Sequence, residues 1–396
     1  MTSTETISFE LSQADLQARR SAKWNQYDAD VLPAFVADMD FSVATPIQAA
    51  IERIVRDRDY GYPLRDGERA DRLVAKVFAG RMQSRYGWEL SPDLVLPMAD
   101  LVQGTYASIL AFSDPGDGAV LQTPNYPPFR DAINTTERRL LALPMRDDGT
   151  RHVFDMAELE KLVDKQTRIF VLCNPQNPTG RVFSRDELMA LGQFAIERDL
   201  TVISDEIHSD LVFPGQEHIP FASLGPEIAA RTVTLNSATK SFNIPGLRCA
   251  LIAFGSEELR HRFHQRIPPK LTGSANIVGA DATVAAWSEC QPWLDAVMEH
   301  LLKARNRVKD VLAVEAPAIR LHAPEATYLA WLDCSKLGLS TSAFQFFLDH
   351  ARIGFSAGET FDPDCAQFVR LNFATSMPIL DDILDRIVAA TRRNQR

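Results

Sequence analysis

Lys240 lies in the run Leu235-Asn-Ser-Ala-Thr-Lys-Ser-Phe-Asn-Ile-Pro-Gly-Leu-Arg248, a primary amine among small hydroxyl side chains. Such an amine can condense with a carbonyl group as a Schiff base and so carry a carbonyl cofactor. That chemistry sets requirements on the rest of the chain. It needs a carboxylate to hold charge on a ring nitrogen, donors for a ring oxygen, a cradle for a phosphate, an aromatic face for the ring, and a cation for the substrate carboxylate.

Each requirement has a candidate. Asp205 follows Thr201-Val-Ile-Ser and can keep a pyridine nitrogen protonated, although an aspartate after a strand also serves as a helix cap. The turn Asn174-Pro-Gln-Asn-Pro-Thr-Gly180 would fix the Asn177 amide toward a phenolate oxygen, or be an ordinary Asn-Pro turn. His208 would share a side with Asp205 if a helical turn begins there; a structural histidine is the other reading. Ala99-Asp-Leu-Val-Gln-Gly104 follows an apolar run and opens a helical stretch, so the amides of Leu101 and Val102 can face a phosphate. Asp100 with Gln103 also reads as a capping pair. Ser237 and Arg248 flank Lys240 and would add a hydroxyl and a guanidinium to that phosphate. Tyr126, in Gln122-Thr-Pro-Asn-Tyr-Pro-Pro-Phe129, offers a rigidly held ring or a packed loop tyrosine. Arg370, the one charge in Phe368-Val-Arg-Leu-Asn-Phe-Ala, fits a carboxylate clamp or an internal ion pair. Together they match what pyridoxal 5'-phosphate demands of a protein.

The elements that must position these residues follow from periodicity. Short apolar runs at Gly118, Arg168, Leu200, Thr232 and Cys249 alternate with helical stretches such as Ser184 to Arg198, which predicts a largely parallel α/β sheet. Ligands of such sheets sit beyond the carboxyl ends of the strands, where most of the candidates fall. After Pro292 a long helix, Trp293 to Leu312, and strand-like runs from Ala326 and Gln367 predict a second α+β domain. The expected division is 45–285 for a large cofactor-binding domain, and 1–44 with 286–396 for a small one.

Composition narrows the partners. The chain has 396 residues, 45% of them hydrophobic, and its net charge of -10 comes with intermixed signs, unlike a nucleic-acid or anionic-membrane binder. The opening Met1-Thr-Ser-Thr-Glu-Thr-Ile-Ser-Phe-Glu10 has no leader pattern, and no stretch approaches a membrane span, so a cytoplasmic protein is expected. Five scattered cysteines without a CxxC pair indicate neither a disulfide framework nor zinc.

The chain from about Phe35 to Ala390 resembles fold-type I pyridoxal phosphate enzymes, the aspartate aminotransferase superfamily. The resemblance rests on Asn-Pro-x-Asn-Pro-Thr-Gly, Ser-Asp-Glu-Ile-His, Ser-x-Thr-Lys-Ser and Arg-Leu-Asn in that order. Val36-Ala-Asp-Met-Asp-Phe41, Tyr60-Gly-Tyr-Pro63, Ser204-Asp-Glu-Ile-His-Ser-Asp210 and Thr327-Tyr-Leu-Ala-Trp-Leu-Asp333 are similar to its MalY/PatB cystathionine β-lyase branch. The resemblance implies an aspartate aminotransferase-like fold and a C–S β-lyase acting on an amino-acid thioether. It implies Lys240 as the Schiff-base lysine, Asp205 on the pyridinium nitrogen, Asn177 on the phenolate oxygen, Tyr126 on the ring, and Arg370 and Asp38 toward the substrate. It further implies a homodimer with the active site at the subunit interface, where Tyr62 of the neighbouring subunit reaches the phosphate.

This chain departs from that pattern at Asp100, where relatives usually have glycine, and at Gln103, where they often have proline. Arg248, typical of aminotransferases, offers a charge to offset Asp100. Ala326 replaces a usual glycine, and Glu359-Thr-Phe-Asp-Pro-Asp-Cys365 lacks the relatives' glycines. An aminotransferase, a specialised deaminating or decarboxylating enzyme, and a cofactor-binding regulator stand as rivals; the regulator would not need lysine, aspartate and arginine together.

Overall fold

The computed structural model describes residues 11–65 and 67–394; the opening stretch read above for a leader lies outside the described residues. The chain forms two compact units, one of residues 43–176 and 182–292, the other of 1–42, 177–181 and 293–396.

The first unit is built on a seven-stranded sheet. In chain order its strands are β1 (Val95–Met98), β2 (Gly118–Thr123), β3 (Arg139–Pro144), β4 (Thr167–Cys173), β5 (Thr201–Asp205), β6 (Thr232–Asn236) and β7 (Ala250–Phe254). Their order across the sheet is β1-β7-β6-β5-β4-β2-β3, and only β7 runs against the others. Alternation along β4 shows why both faces are covered. Ile169, Val171 and Cys173 enter one buried cluster while Phe170 and Leu172 enter another, as the two-residue period of a strand requires.

Helices cover these faces. We label α1 (Thr45–Asp57), α2 (Ala70–Tyr86), α3 (Leu101–Phe112), α4 (Pro127–Thr135), α5 (Arg185–Glu197) and α6 (Ile277–Glu289). The start of α5 is set by a capping box in which the Ser184 side chain takes the Glu187 N–H and the Glu187 carboxylate takes the Ser184 N–H. Register places the site. Asp205 pairs with Leu235 on one side and Cys173 on the other, so the loops beginning at Asn174, Glu206 and Ser237 leave the same edge of the sheet.

The second unit contains α7 (Gln291–Glu315) from Trp293 onward, α8 (Ala343–Ala351), α9 (Met377–Asn394) and a four-stranded antiparallel sheet. Its strands are β8 (Arg320–Leu321), β9 (Leu329–Asp333), β10 (Ser356–Ala357) and β11 (Phe368–Asn372), in the order β8-β9-β11-β10. Among the described residues no helix is long and apolar enough to cross a membrane, no disulfide joins the cysteines, and no cluster of side chains suits a metal ion.

Candidate active site

In the first unit the site is centred on Asp205, the last residue of β5. Its carboxyl is 4% exposed and accepts the Ile207 N–H at 3.0 Å. Burial pushes it up to about 7; the Ile207 bond opposes that rise, the neighbouring Glu206 charge adds to it, and the Lys240 ammonium pulls against it. Lys240 therefore acts electrostatically on Asp205, and a cation at this carboxyl would relieve the cost of ionising it in so dry a place. Glu206 is held separately: one oxygen accepts from Ser204 Oγ at 2.8 Å and Phe221 N at 2.9 Å, the other lies 3.1 Å from His218 Nε2. His208 is buried in the turn after β5, where its carbonyl accepts the Leu211 N–H.

Lys240 follows β6 in a turn built by its polar neighbours. Asn236 donates from its amide to the Glu206 carbonyl and Ser209 Oγ, and accepts the Ser237 N–H at 2.7 Å. Ser237 Oγ lies 2.6 Å from the Cys249 carbonyl and accepts the Thr239 N–H. Its hydroxyl proton is thus engaged by the residue before β7 and would have to swing away to serve a phosphate. Tyr126 is the residue just before α4, half-buried, with its ring edge-on to Phe129 at 5.7 Å between centroids.

The start of α3 carries a carboxylate. Asp100 Oδ1 accepts the Val102 N–H at 2.8 Å and Asp100 Oδ2 meets Arg248 Nη1 at 2.6 Å, so the charge offset suggested by sequence is formed as a direct ion pair. The expected Asp100–Gln103 capping pair is corrected: the Gln103 amide points to the carbonyls of Leu271 and Thr272 at 2.9 and 3.2 Å. With those carbonyls in reach it ties α3 to a neighbouring turn and does not reach back along its own helix. Arg248 sits in the left-handed region at φ 49°, its carbonyl and that of Leu247 held by the Asn276 amide. Tyr62 is fully exposed beside exposed Tyr60 and Leu64.

The second unit places Arg370 on β11. The guanidinium is 5% exposed, donates to Asn177 Oδ1 at 2.9 Å and Ser356 Oγ at 3.0 Å, and lies over the Phe361 ring at 4.8 Å. Because arginine only donates, the Asn177 amide must turn its oxygen to Arg370, which leaves its NH2 as the outward group. The segment 36–41 carrying Asp38 is pinned from three directions. Asn372 Nδ2 donates to the carbonyls of Val36 and Asp38, Tyr328 Oη to that of Ala37, and Lys23 Nζ to that of Asp38. Lys23 also meets Asp40 at 2.9 Å, both buried, and Trp24 Nε1 donates to the other Asp40 oxygen at 2.7 Å. Val36 and Thr327, both β-branched, are held at φ 33° and 71°, where such residues are strained. Sequence reasoning missed this Lys23–Asp40–Trp24 lock. Its only trace was a lysine before a tryptophan, because the partner lies 17 residues away.

A mostly parallel sheet with a lysine turn and a buried carboxyl at one edge defines an aspartate aminotransferase-like, fold-type I enzyme. The family model for aminotransferase class I and II matches residues 50–387, and the chain belongs to this family. It is 35% identical to cystathionine β-lyase PatB of Bacillus subtilis (strain 168), over 94% of this chain and 96% of that one. Among solved structures it is similar to OvoB (TM-score 0.89, 36% identity, 97% of this chain and 98% of that one). It also resembles cystalysin of Treponema denticola, a structure containing pyridoxal 5'-phosphate (TM-score 0.90, 29% identity, 98% and 99%).

Proposed function

We propose that this protein is a pyridoxal phosphate-dependent C–S β-lyase that cleaves a cysteine thioether of the cystathionine type to a thiol, pyruvate and ammonia. The observation that carries the reading is the buried Asp205 carboxyl at the end of β5, with Lys240 in the turn that follows the adjacent strand β6, in a chain 35% identical to a cystathionine β-lyase. A dry carboxyl poised near neutrality suits a ring-nitrogen cation, and a turn lysine nearby suits the cofactor's aldehyde, so the residues present fit the group.

In this reading Asp205 and His208 would hold the ring nitrogen, the Asn177 NH2 would serve the ring oxygen, and Tyr126 would offer its ring to the cofactor's. The amides of Leu101 and Val102, with Ser237 and Arg248, would receive the phosphate. When bound, the cofactor supplies a sink for the electron pair that develops at the substrate's Cα. Arg370 grips the substrate carboxylate and, with Asp38 on the substrate side, orients the Cα–H bond. The Lys240 amine takes the Cα proton, the thiolate leaves from Cβ with its bonding pair, and water completes hydrolysis of the three-carbon fragment.

The boundaries 45–285 for a large domain and 1–44 with 286–396 for a small one complete this proposal. The enzyme works in the cytoplasm as a homodimer, with Tyr62 completing the partner's phosphate site. The fully exposed ring at Tyr62, flanked by Tyr60 and Leu64, supports a surface that a second copy covers.

The test is pyruvate release from L-cystathionine by cofactor-loaded protein without a keto-acid acceptor. The expected outcome is steady pyruvate formation that Lys240→Ala lowers at least ~1,000-fold, the scale of losing a positioned base and covalent lysine. Amino-group transfer to a keto acid without pyruvate from cystathionine would move the assignment to aminotransferase.

A further inference from the structure

We infer that Asp100 is an internal competitor of the cofactor's phosphate and speeds cofactor exchange. The inference rests on the reading that the start of α3 and Arg248 receive that phosphate. A phosphate at this helix start would draw on the Val102 N–H and the Arg248 guanidinium. Both are already engaged by one carboxylate, at 2.8 Å and 2.6 Å. An anion cannot take the Val102 N–H or the Arg248 Nη1 proton while Asp100 keeps them, and the Asp100 charge repels a second anion at the same helix start.

The surroundings favour exchange of partners over movement of the loop. The Arg248 backbone is held by Asn276 and the first turn of α3 by Gln103, so the mobile parts are the Asp100 carboxylate and the Arg248 guanidinium. The guanidinium is 64% exposed and the carboxylate 32%, which leaves both room to turn. Phosphate arrival therefore trades one anion for another at the same donors, and phosphate departure is assisted by a carboxylate ready to replace it.

The experiment compares parent, Asp100→Asn and Arg248→Ala proteins loaded with pyridoxal 5'-phosphate or with pyridoxal, which lacks the phosphate. Cofactor remaining bound after dilution is followed by visible absorbance. Asparagine keeps the cap and removes the charge. Asp100→Asn is expected to release pyridoxal phosphate about 10-fold more slowly, the scale of one charge-assisted hydrogen bond in a partly exposed setting, with pyridoxal release unchanged. Equal or faster release of pyridoxal phosphate overturns the inference, as does an equal effect on both compounds. Arg248→Ala separates the two levels. If it hastens loss of pyridoxal phosphate alone, the phosphate site stands and Asp100 is judged on its own result; if it changes neither compound, the phosphate site and the inference fall together.

Discussion

On the proposed function Asp205 meets two opposed demands, since a carboxylate that would hold a cation is placed where its own charge is costly. In the cofactor-free protein its folded value of about 7 lies above the ordinary 3.8, so the folded state binds a proton that the unfolded chain has released between those values. Stability from this group is full below the lower value and lost as pH rises through the upper one, a swing of about 4 kcal/mol. Cofactor-free Asp205→Asn should therefore melt higher than the parent above pH 7, with the gap closing toward pH 4; a gap independent of pH would show that Asp205 is not the titrating group. Lys240, Asp205 and Asn177 stand out in sequence as candidates because the three occur together, each after an apolar run, although each alone has an ordinary structural reading. Lys23 could not, since its meaning comes from Asp40, Asp38 and Trp24 meeting it only after folding.

The segment 36–41 is shaped by its anchors more than by its own preferences. Lys23→Met would remove the charge facing Asp40 in a site where both are almost fully buried. An uncompensated buried carboxylate costs about 3–5 kcal/mol, so the urea midpoint should drop sharply. Adding Asp40→Asn to Lys23→Met should restore most of it, because the amide still accepts from Trp24 without a charge; no recovery would assign the loss to packing. Most strands of the central sheet were readable from apolar runs, commonly within a residue of their observed ends, but the edge strand β3 was not among those runs. The reversed direction of β7 was not, because a two-residue period carries no sense of direction. Nor was the destination of Gln103, whose partners belong to a turn 168 residues away.

At the scale of the molecule, Tyr60, Tyr62 and Leu64 are exposed, and the second copy proposed above would cover them. Sedimentation equilibrium should give twice the chain mass of 44.2 kDa, and a single-chain mass would exclude a site completed by Tyr62 of a second copy. The five residues 177–181 belong to the unit formed mainly by the two ends of the chain, although they interrupt the other unit in sequence. There the Gly180 carbonyl accepts the N–H groups of Glu325 and Ala326, Arg181 pairs with Glu325, and any side chain at Gly180, φ 73°, would collide with Pro324. The protein consequently cannot be dissected by a single cut. A fragment rebuilt from the two ends alone would lack the peptide that secures Pro324 to Ala326 and the amide that meets Arg370. The two units are not interchangeable cassettes, and any chimera or truncation of this chain must carry that short graft with the terminal segments.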